Sequence, residues 1–429
     1  MTARAVPRAA PWIPACLTAA LCVALGSCAS TSITTPAPRS PEPVPSSVPG
    51  LKAGFGRADI TPPPGLGLSD YGPAGGVAWG HRQRLYARAM ILEDGRGERV
   101  AWANLDLAQP SFLLHRESAA RIVAETGIGA DRLILTATHT HAGPGHFFSS
   151  RSYNQFAPGT PGFDPAVVEF LADRVAAAIR EASAAMTPAV AGWVQEPVWG
   201  LTKNRSLETH ARNPAVEGRP VPPPGMTPEQ KAVDPTWTML RVDTISSQGD
   251  TVPAGALSVF AYHPTGNPPA NDLYDGDVSG LVERGLERHM DTLAGVHRRF
   301  VPASVHLAAN GAEGDVVLEG SLDHDCDRPA QRAGVRPGGP RTQRALDEWT
   351  SASGSPGSEC VSRARRFVNE AGDTLAARAI EIFDRAGQGL RSDLSIRRSF
   401  RTVRLTGSEA STYLCPEPQV GAGAAAGSE

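Results

Sequence analysis

The chain has 429 residues, of which 41% are hydrophobic and 20% are charged, and its formal net charge is -3. This length fits one large domain or two ordinary ones, and the composition is that of a globular protein with a sizeable apolar core. The near-neutral charge, without a long run of lysine or arginine, excludes a protein that binds nucleic acid through a basic surface.

The first residues have the features of a bacterial export signal. Arg4 and Arg8 precede an apolar stretch over residues 12–25, which is shorter than a membrane span requires. The stretch ends in Leu-Gly-Ser-Cys28, a pattern typical of a lipobox, in which the cysteine is acylated. We therefore predict a lipoprotein signal over residues 1–28, with acyl chains on Cys28 that hold the protein on a membrane surface. An ordinary secretory peptide cleaved nearby is the alternative.

Residues 29–51 are rich in proline and serine, which predicts an extended tether before a single domain over residues 52–429. Three cysteines lie in that domain. In an oxidising compartment we expect Cys326 to pair with Cys360, which leaves Cys415 either as a free thiol or as the partner of a residue beyond this chain. The sequence after Cys415 ends in small residues without a closing element, so we expect the C-terminal part of the domain to lie beyond this chain.

Strand-like and helix-like patterns alternate along the domain, which predicts the α/β class, with mixed α+β as the alternative. Apolar residues recur every second position in the strands and every three to four positions in the helices. The predicted strands cover residues 84–92, 100–107, 133–138, 189–194, 238–242 and 256–262, and the predicted helices cover residues 111–126, 165–182, 279–289 and 372–384.

Two histidines one residue apart follow a strand-like run, in Leu133-Ile-Leu-Thr-Ala-Thr-His139-Thr-His141-Ala-Gly-Pro-Gly145. Because side chains alternate along a strand, both imidazoles are expected on one face. A second apolar strand is followed by a third histidine, His263. Since α/β enzymes place ligands at the carboxyl ends of strands, we predict a metal site at these ends.

Neutral imidazoles suit zinc and similar ions, and a catalytic zinc takes three protein ligands. The alternative is that the histidines cap strands and hydrogen-bond to loops. Arg205, in a polar loop, either binds a carboxylate or a developing oxyanion or is a solvated loop arginine. Asp106 follows another strand and either fixes a histidine tautomer or is an ordinary strand-end carboxylate. The sequence contains no G-x-S-x-G elbow, which disfavours a serine hydrolase of that kind.

Seven short motifs follow one another along the domain. They are Gly54-Phe-Gly-Arg-Ala-Asp-Ile-Thr-Pro62, His81-Arg-Gln-Arg-Leu-Tyr-Ala-Arg88, Ala137-Thr-His-Thr-His-Ala-Gly-Pro-Gly145, Asn204-Arg-Ser206, Asn213-Pro214, Asp234-Pro235 and His263-Pro-Thr. In this order they resemble the neutral/alkaline, non-lysosomal ceramidase family. The T-H-T-H-x-G-P-G element is the most specific motif, and the ordered series is more specific than any single one.

The resemblance implies a zinc-dependent amidohydrolase that cleaves the N-acyl amide of ceramide-like lipids to a sphingoid base and a fatty acid. By position, His139 and His263 match zinc ligands of the family. His141 matches a histidine that lies by the substrate and assists the transition state, and Arg205 matches an arginine that contacts the reacting region. The family completes its zinc shell with a glutamate and a tyrosine, which we expect beyond Glu429.

Two motifs depart from the family pattern. The Gly-Asp-Val-Ser-Pro-Asn element is replaced by Gly314-Asp-Val-Val-Leu-Glu319, and the Gly-Asp-Asn-Lys-Gly element by Gly276-Asp-Val-Ser-Gly280. These changes leave two alternatives open: a zinc hydrolase of a different N-acyl amide, or an inactive surface lipoprotein that binds an envelope lipid or glycan. The expected partners are a lipid-like substrate and a membrane surface, and the expected location is the bacterial cell envelope or the exterior.

Overall fold

The computed structural model describes residues 48–212, 218–296, 303–321 and 356–400. The strands are β1 (Lys52–Asp59), β2 (Gly80–His81), β3 (Tyr86–Glu93), β4 (Arg99–Leu105), β5 (Leu133–Ala137), β6 (Thr187–Pro197), β7 (Thr202–Asn204), β8 (Thr236–Ile245), β9 (Thr251–Phe260), β10 (Leu273–Tyr274), β11 (Val305–Asn310) and β12 (Val316–Leu318). The helices are α1 (Phe112–Thr126), α2 (Arg151–Phe156), α3 (Pro165–Ala184), α4 (Leu207–His210), α5 (Pro228–Lys231), α6 (Asp277–Leu293) and α7 (Pro356–Ala386).

One eight-stranded sheet organises the fold, in the order β11-β9-β8-β6-β1-β3-β4-β5. The pairs β4–β5 and β9–β11 are parallel, and the pairs between them are antiparallel. β11 also contacts β3, β4 and β5, so the sheet curls until its two edges approach each other. The carboxyl ends of β5 and β9 are thereby brought together. The predicted α/β class is confirmed as a mixed α/β fold.

Helix α3 covers the outer face of the curled sheet at β1 and β3. This packing depends on two glycines of β1. A Cβ on Gly54 would lie 2.0 Å from the main-chain oxygen of Ala182, and a Cβ on Gly56 would lie 2.1 Å from that of Ala178. The helix and the strand are therefore in backbone contact, which any larger residue at either position would prevent.

Helices α6 and α7 form a second layer over β8 and β9. Their apolar faces bury Val282, Leu286, Val368 and Phe383 against the sheet. A third group of apolar residues fills the inside of the curl, with Met90, Val242 and Leu307 among its members. The sheet is thus covered on its outer face and packed on its inner face, which fixes the positions of its strand ends.

A buried ion network closes one end of the curl. Arg88 is 1% exposed, and its guanidinium lies 3.0 Å from Asp106, 2.6 Å from Glu283 and 2.9 Å from Glu287. Arg57 contacts the same Glu287 carboxylate at 2.6 Å. Burial raises the pKa of Glu283 well above its usual range, an effect that Arg88 opposes. The network joins β1 and β3 to helix α6.

His306 of β11 lies beside this network and should make stability depend on pH. Its Nε2 lies 2.8 Å from Oγ of Ser258, and burial lowers its pKa to about 4, from an ordinary value of 6.5. As the pH falls, His306 takes up a proton in the unfolded chain before it does so in the folded protein. The stability contributed by the neutral, buried His306 ring is therefore complete above pH 6.5 and is lost as the pH falls towards 4. The free energy of unfolding is measured in urea with a chelator present. Between pH 7 and pH 5 it should fall by about 2 kcal/mol less in His306→Gln than in the unaltered protein. An identical pH dependence for both proteins would contradict this.

The predicted elements are recovered, with differences at their ends. The helix predicted over residues 372–384 begins earlier, at Pro356, and the strand predicted to residue 262 ends at Phe260. The sequence pattern does not indicate β1, β11 or β12. The buried residues Cys360, Ala364 and Val368 recur every fourth position, so the apolar face of α7 begins before residue 372.

Two of the predicted modifications lie at least partly outside the described residues. Cys360 is buried and disulfide-bonded, but Cys326 is not among the described residues, so their pairing stays a prediction. Cys28 also lies outside them, and its acylation stays a prediction. Within the part of the chain that the structure describes, no helix combines the length and the apolar character needed to cross a bilayer.

Candidate metal centre

Three imidazoles converge where the two edges of the sheet meet. Nε2 of His263 lies 3.0 Å from Nε2 of His139 and 3.0 Å from Nε2 of His141, and the last two atoms are 3.3 Å apart. The ligand nitrogens of one tetrahedral zinc ion, each about 2.1 Å from the metal, lie about 3.4 Å from one another. The three nitrogens therefore form a triangle of nearly the size that one ion requires, and this cluster could hold a metal ion.

His139 and His141 reach this point through a turn. The strand β5 ends at Ala137, and His139 has a φ of 64°, in the left-handed region that residues other than glycine rarely adopt. Thr140 lies between them and points inward, where its hydroxyl donates a 2.6 Å hydrogen bond to the main-chain oxygen of Asp275. The expectation that both imidazoles share one side is correct, but a strained turn produces it rather than strand alternation.

His263 follows β9, which lies next to the other edge strand, β11, and it is held from that side of the sheet. Its main-chain N–H donates to the oxygen of Val316 at 2.7 Å, and its Nδ1 lies 3.3 Å from the main-chain oxygen of Glu313. Glu313 belongs to the turn that leads into β12, and Val316 is the first residue of that strand. The ring is thereby fixed with Nε2 towards the other two histidines.

Two of the three rings have their outer nitrogen anchored. Nδ1 of His139 lies 2.6 Å from the main-chain oxygen of Ala108, and Nδ1 of His263 contacts Glu313 as described above. A carbonyl oxygen only accepts, so both Nδ1 atoms carry the proton and both Nε2 atoms present lone pairs. Two lone pairs 3.0 Å apart repel each other unless a cation lies between them. The donor set therefore fits a metal ion that accepts imidazole nitrogen.

His141 differs from the other two. Its Nδ1 is buried and makes no hydrogen bond within the described residues. The ring of Tyr71 lies edge-on to it at 4.7 Å between centroids, and the Tyr71 hydroxyl donates to the main-chain oxygen of Asn267. No carbonyl fixes its tautomer, so His141 is the imidazole that is free to hold the proton on either nitrogen.

The electrostatic environment keeps His141 and His263 neutral. Burial lowers the pKa of His263 to about 3, and the neighbouring His139 and Arg205 add to this effect. Burial also lowers the pKa of His141 well below its usual range, with further contributions from the same neighbours and from His263. Neutral imidazole is the form that binds metal, so the site is prepared for an ion at neutral pH.

The predicted Arg205 belongs to this site. Its Nη2 donates a 2.9 Å hydrogen bond to the main-chain oxygen of Gly314, and its side chain is exposed. Its positive charge acts on His141 and His263, as their lowered pKa values indicate. The structure thus places the three predicted histidines in one cluster, with Arg205 near enough for its charge to act on two of them.

The structure corrects one assignment and adds residues that the sequence did not indicate. Asp106 contacts none of the histidines that the structure describes: its Oδ2 accepts from Arg88 and from the main-chain N–H of Tyr86. Carbonyl oxygens fix the tautomers instead. Asp70 lies near His139 with a φ of 65°, and burial raises its pKa to about 6. The one signal in the sequence that could have indicated Asp70 is its place before Tyr71 in a glycine-rich loop.

The two motif departures concern buried positions. Val317 is 2% exposed, and its backbone forms a bridge with that of His263. Val278 is fully buried, at the start of α6. Both side chains are thus buried, and Val278 packs in the apolar cluster beneath α6 and α7.

A mixed α/β fold that gathers three imidazoles where the edges of one sheet meet defines a protein with a candidate metal centre. A sequence profile of the neutral/alkaline non-lysosomal ceramidase family, N-terminal region, matches residues 51–429. This chain belongs to that family, as the ordered motifs suggest.

Individual relatives agree with the family assignment. The neutral ceramidase of Pseudomonas aeruginosa is 27% identical over 281 residues, covering 64% of this chain and 39% of that protein. The neutral ceramidase of Mycobacterium tuberculosis is 30% identical over 254 residues, covering 57% and 37%. The chain therefore spans well under half the length of these relatives.

The fold also matches solved structures. The crystal structure of neutral ceramidase from Pseudomonas aeruginosa superposes with a TM-score of 0.59 at 24% identity, covering 80% of this chain and 46% of that chain. A structure described as a ceramidase complexed with C2 gives a TM-score of 0.58 at 23% identity. At this identity the match establishes that the fold is shared.

Proposed function

We propose that this chain carries the core of a zinc-dependent amidohydrolase that cleaves the N-acyl amide of ceramide-like lipids to a sphingoid base and a fatty acid. The observation that carries the proposal is the convergence of three Nε2 atoms within 3.3 Å of one another. Membership of the ceramidase family supports the substrate class. The names of the relatives support it further.

His139 and His263 would hold the metal, because a carbonyl oxygen fixes the Nδ1 proton of each and leaves Nε2 free to bind. When bound, zinc lowers the pKa of a water to about 7 and polarises the substrate carbonyl. His141, whose Nδ1 makes no hydrogen bond within the described residues, would take up a proton of the attacking water and pass it to the leaving amine, which returns the ring to its neutral form. Arg205 would stabilise the charge that develops on the carbonyl oxygen.

The direct test is fatty-acid release from N-acylsphingosine, measured alongside a panel of other N-acyl amides. We expect release that stops with a chelator and returns with zinc. Arg205→Met should lower the rate about a hundred-fold with unchanged zinc content. Preference for another amide would favour a zinc hydrolase of different substrate. Zinc binding without hydrolysis of any amide would favour the inactive lipid- or glycan-binding alternative.

We also propose that the protein is exported and anchored to the bacterial cell envelope through Cys28, or else secreted. The basic residues, the apolar stretch and the Leu-Gly-Ser-Cys28 pattern support this. A domain over residues 52–429, joined by a tether over residues 29–51, would then act at a membrane surface. Labelled palmitate that enters the unaltered protein but not Cys28→Ala would support the anchor, and equal labelling of the two would contradict it.

A further inference from the structure

A single turn between β11 and β12 contacts both of the histidines that come from opposite edges of the sheet. Its residue Glu313 accepts a 3.3 Å hydrogen bond from Nδ1 of His263 through its main-chain oxygen. Its side-chain Oε1 lies 3.6 Å from Nδ1 of His139. Both contacts are made on the ring nitrogen that points away from the candidate ion. One residue therefore lies behind two of the three imidazoles.

The turn itself is held in place. The main-chain oxygen of Glu313 also accepts a 2.8 Å hydrogen bond from the N–H of Val316, whose own oxygen accepts the N–H of His263. The carboxylate projects from this fixed backbone. Its side chain is 20% exposed, so water screens its charge less than that of a fully solvated carboxylate.

We propose that Glu313 is a positioning residue of the metal centre, in which its carbonyl orients His263 and its carboxylate supports His139. The 3.6 Å separation exceeds hydrogen-bond length, and the Nδ1 proton of His139 is already directed to the Ala108 oxygen. The carboxylate therefore acts through its charge, which stabilises the positive charge that the imidazole acquires when Nε2 binds a cation. This inference rests on the metal-dependent function proposed above.

The segment that follows Glu313 contains a second carboxylate, which serves as a control for an experiment on Glu313. Glu313 immediately precedes Gly314-Asp-Val-Val-Leu-Glu319, and a second carboxylate, Glu319, lies at the far end of the same segment. Glu319 is exposed and accepts a 3.2 Å hydrogen bond from Gln230. It provides a matched control that removes the same charge from the same segment without contact with a histidine.

The experiment measures the dissociation constant of Zn²⁺ from the full chain by competition with a chromophoric chelator. Glu313→Gln should weaken zinc binding on the order of ten-fold, while Glu319→Gln should bind zinc as the unaltered protein does. Glu313→Asp keeps the charge and should recover part of the affinity, a rescue that a purely structural role would not give. Thermal unfolding of the metal-free proteins should show the same midpoint for all of them.

The outcomes separate this inference from the function on which it rests. Equal zinc affinity of Glu313→Gln and the unaltered protein would overturn the role of Glu313 and leave the metal centre intact. Equal weakening by Glu313→Gln and Glu319→Gln would overturn it as well, because a general loss of charge would then explain the effect. An unaltered protein without zinc affinity would overturn the proposed function together with the inference.

Discussion

Replacing His139 by alanine should abolish zinc binding and reduce amide hydrolysis by at least about a thousand-fold. His139 is one of the two histidines whose tautomer is fixed by a carbonyl oxygen. Its Nδ1 lies 2.6 Å from the main-chain oxygen of Ala108, which leaves Nε2 free to bind the metal. Without His139, His263 is left as the one histidine that the proposed mechanism assigns to the metal, and a single imidazole falls well short of the three protein ligands that a catalytic zinc takes. Zinc content is measured per mole of protein after dialysis, and hydrolysis is measured as fatty acid released.

The matched control is His289→Ala, which removes a histidine of α6 that lies outside the three-histidine cluster. Its Nε2 lies 3.1 Å from a carboxylate oxygen of Asp384 at the surface. This variant should bind zinc and hydrolyse substrate like the unaltered protein. A His139→Ala protein that keeps one tightly bound zinc would show that the metal is held elsewhere.

The second large effect is expected on stability, from Arg88→Met. Arg88 is buried among the carboxylates of Asp106, Glu283 and Glu287. Methionine fills similar space but leaves these acids without their shared cation, so they repel one another in a region that excludes water. We expect the free energy of unfolding to fall by about 3–5 kcal/mol, measured by urea denaturation at pH 7.

An exposed arginine of the same strand region provides the comparison. Arg84 lies 2.9 Å from Asp59, and the two side chains are 52% and 35% exposed. Because water screens such a pair, Arg84→Met should change the free energy of unfolding by less than about 1 kcal/mol. If Arg88→Met cost no more than Arg84→Met, the buried network would contribute little to the fold.

The sequence predicts the strands that precede the histidines because their apolar runs are long and regular. It also selects His139, His141, His263 and Arg205, since residue type and position at strand ends carry that information directly. It does not indicate β1, because glycine has a low strand propensity and the glycines of β1 are needed for backbone contact with α3. That need is visible only once the helix is packed on the strand.

The partners of the histidines were beyond prediction for a related reason. The tautomers of His139 and His263 are set by main-chain oxygens of Ala108 and Glu313. Every residue has a carbonyl, so nothing in the sequence distinguishes these two. Asp106 looks like a suitable partner by residue type, but the curl of the sheet places its carboxylate beside Arg88. Such contacts depend on where distant strands meet.

The metal centre depends on the binding of one cation by imidazoles that follow β5 and β9, on the two sides of the curled sheet that meet. Zinc K-edge X-ray absorption on the zinc-loaded chain measures this directly. We expect nitrogen scatterers at about 2.0–2.1 Å with the outer-shell signature of at least two imidazole rings, and His263→Ala should retain no zinc that gives such a spectrum. A first shell of oxygen alone, or a spectrum that His263→Ala leaves unchanged, would contradict the metal centre.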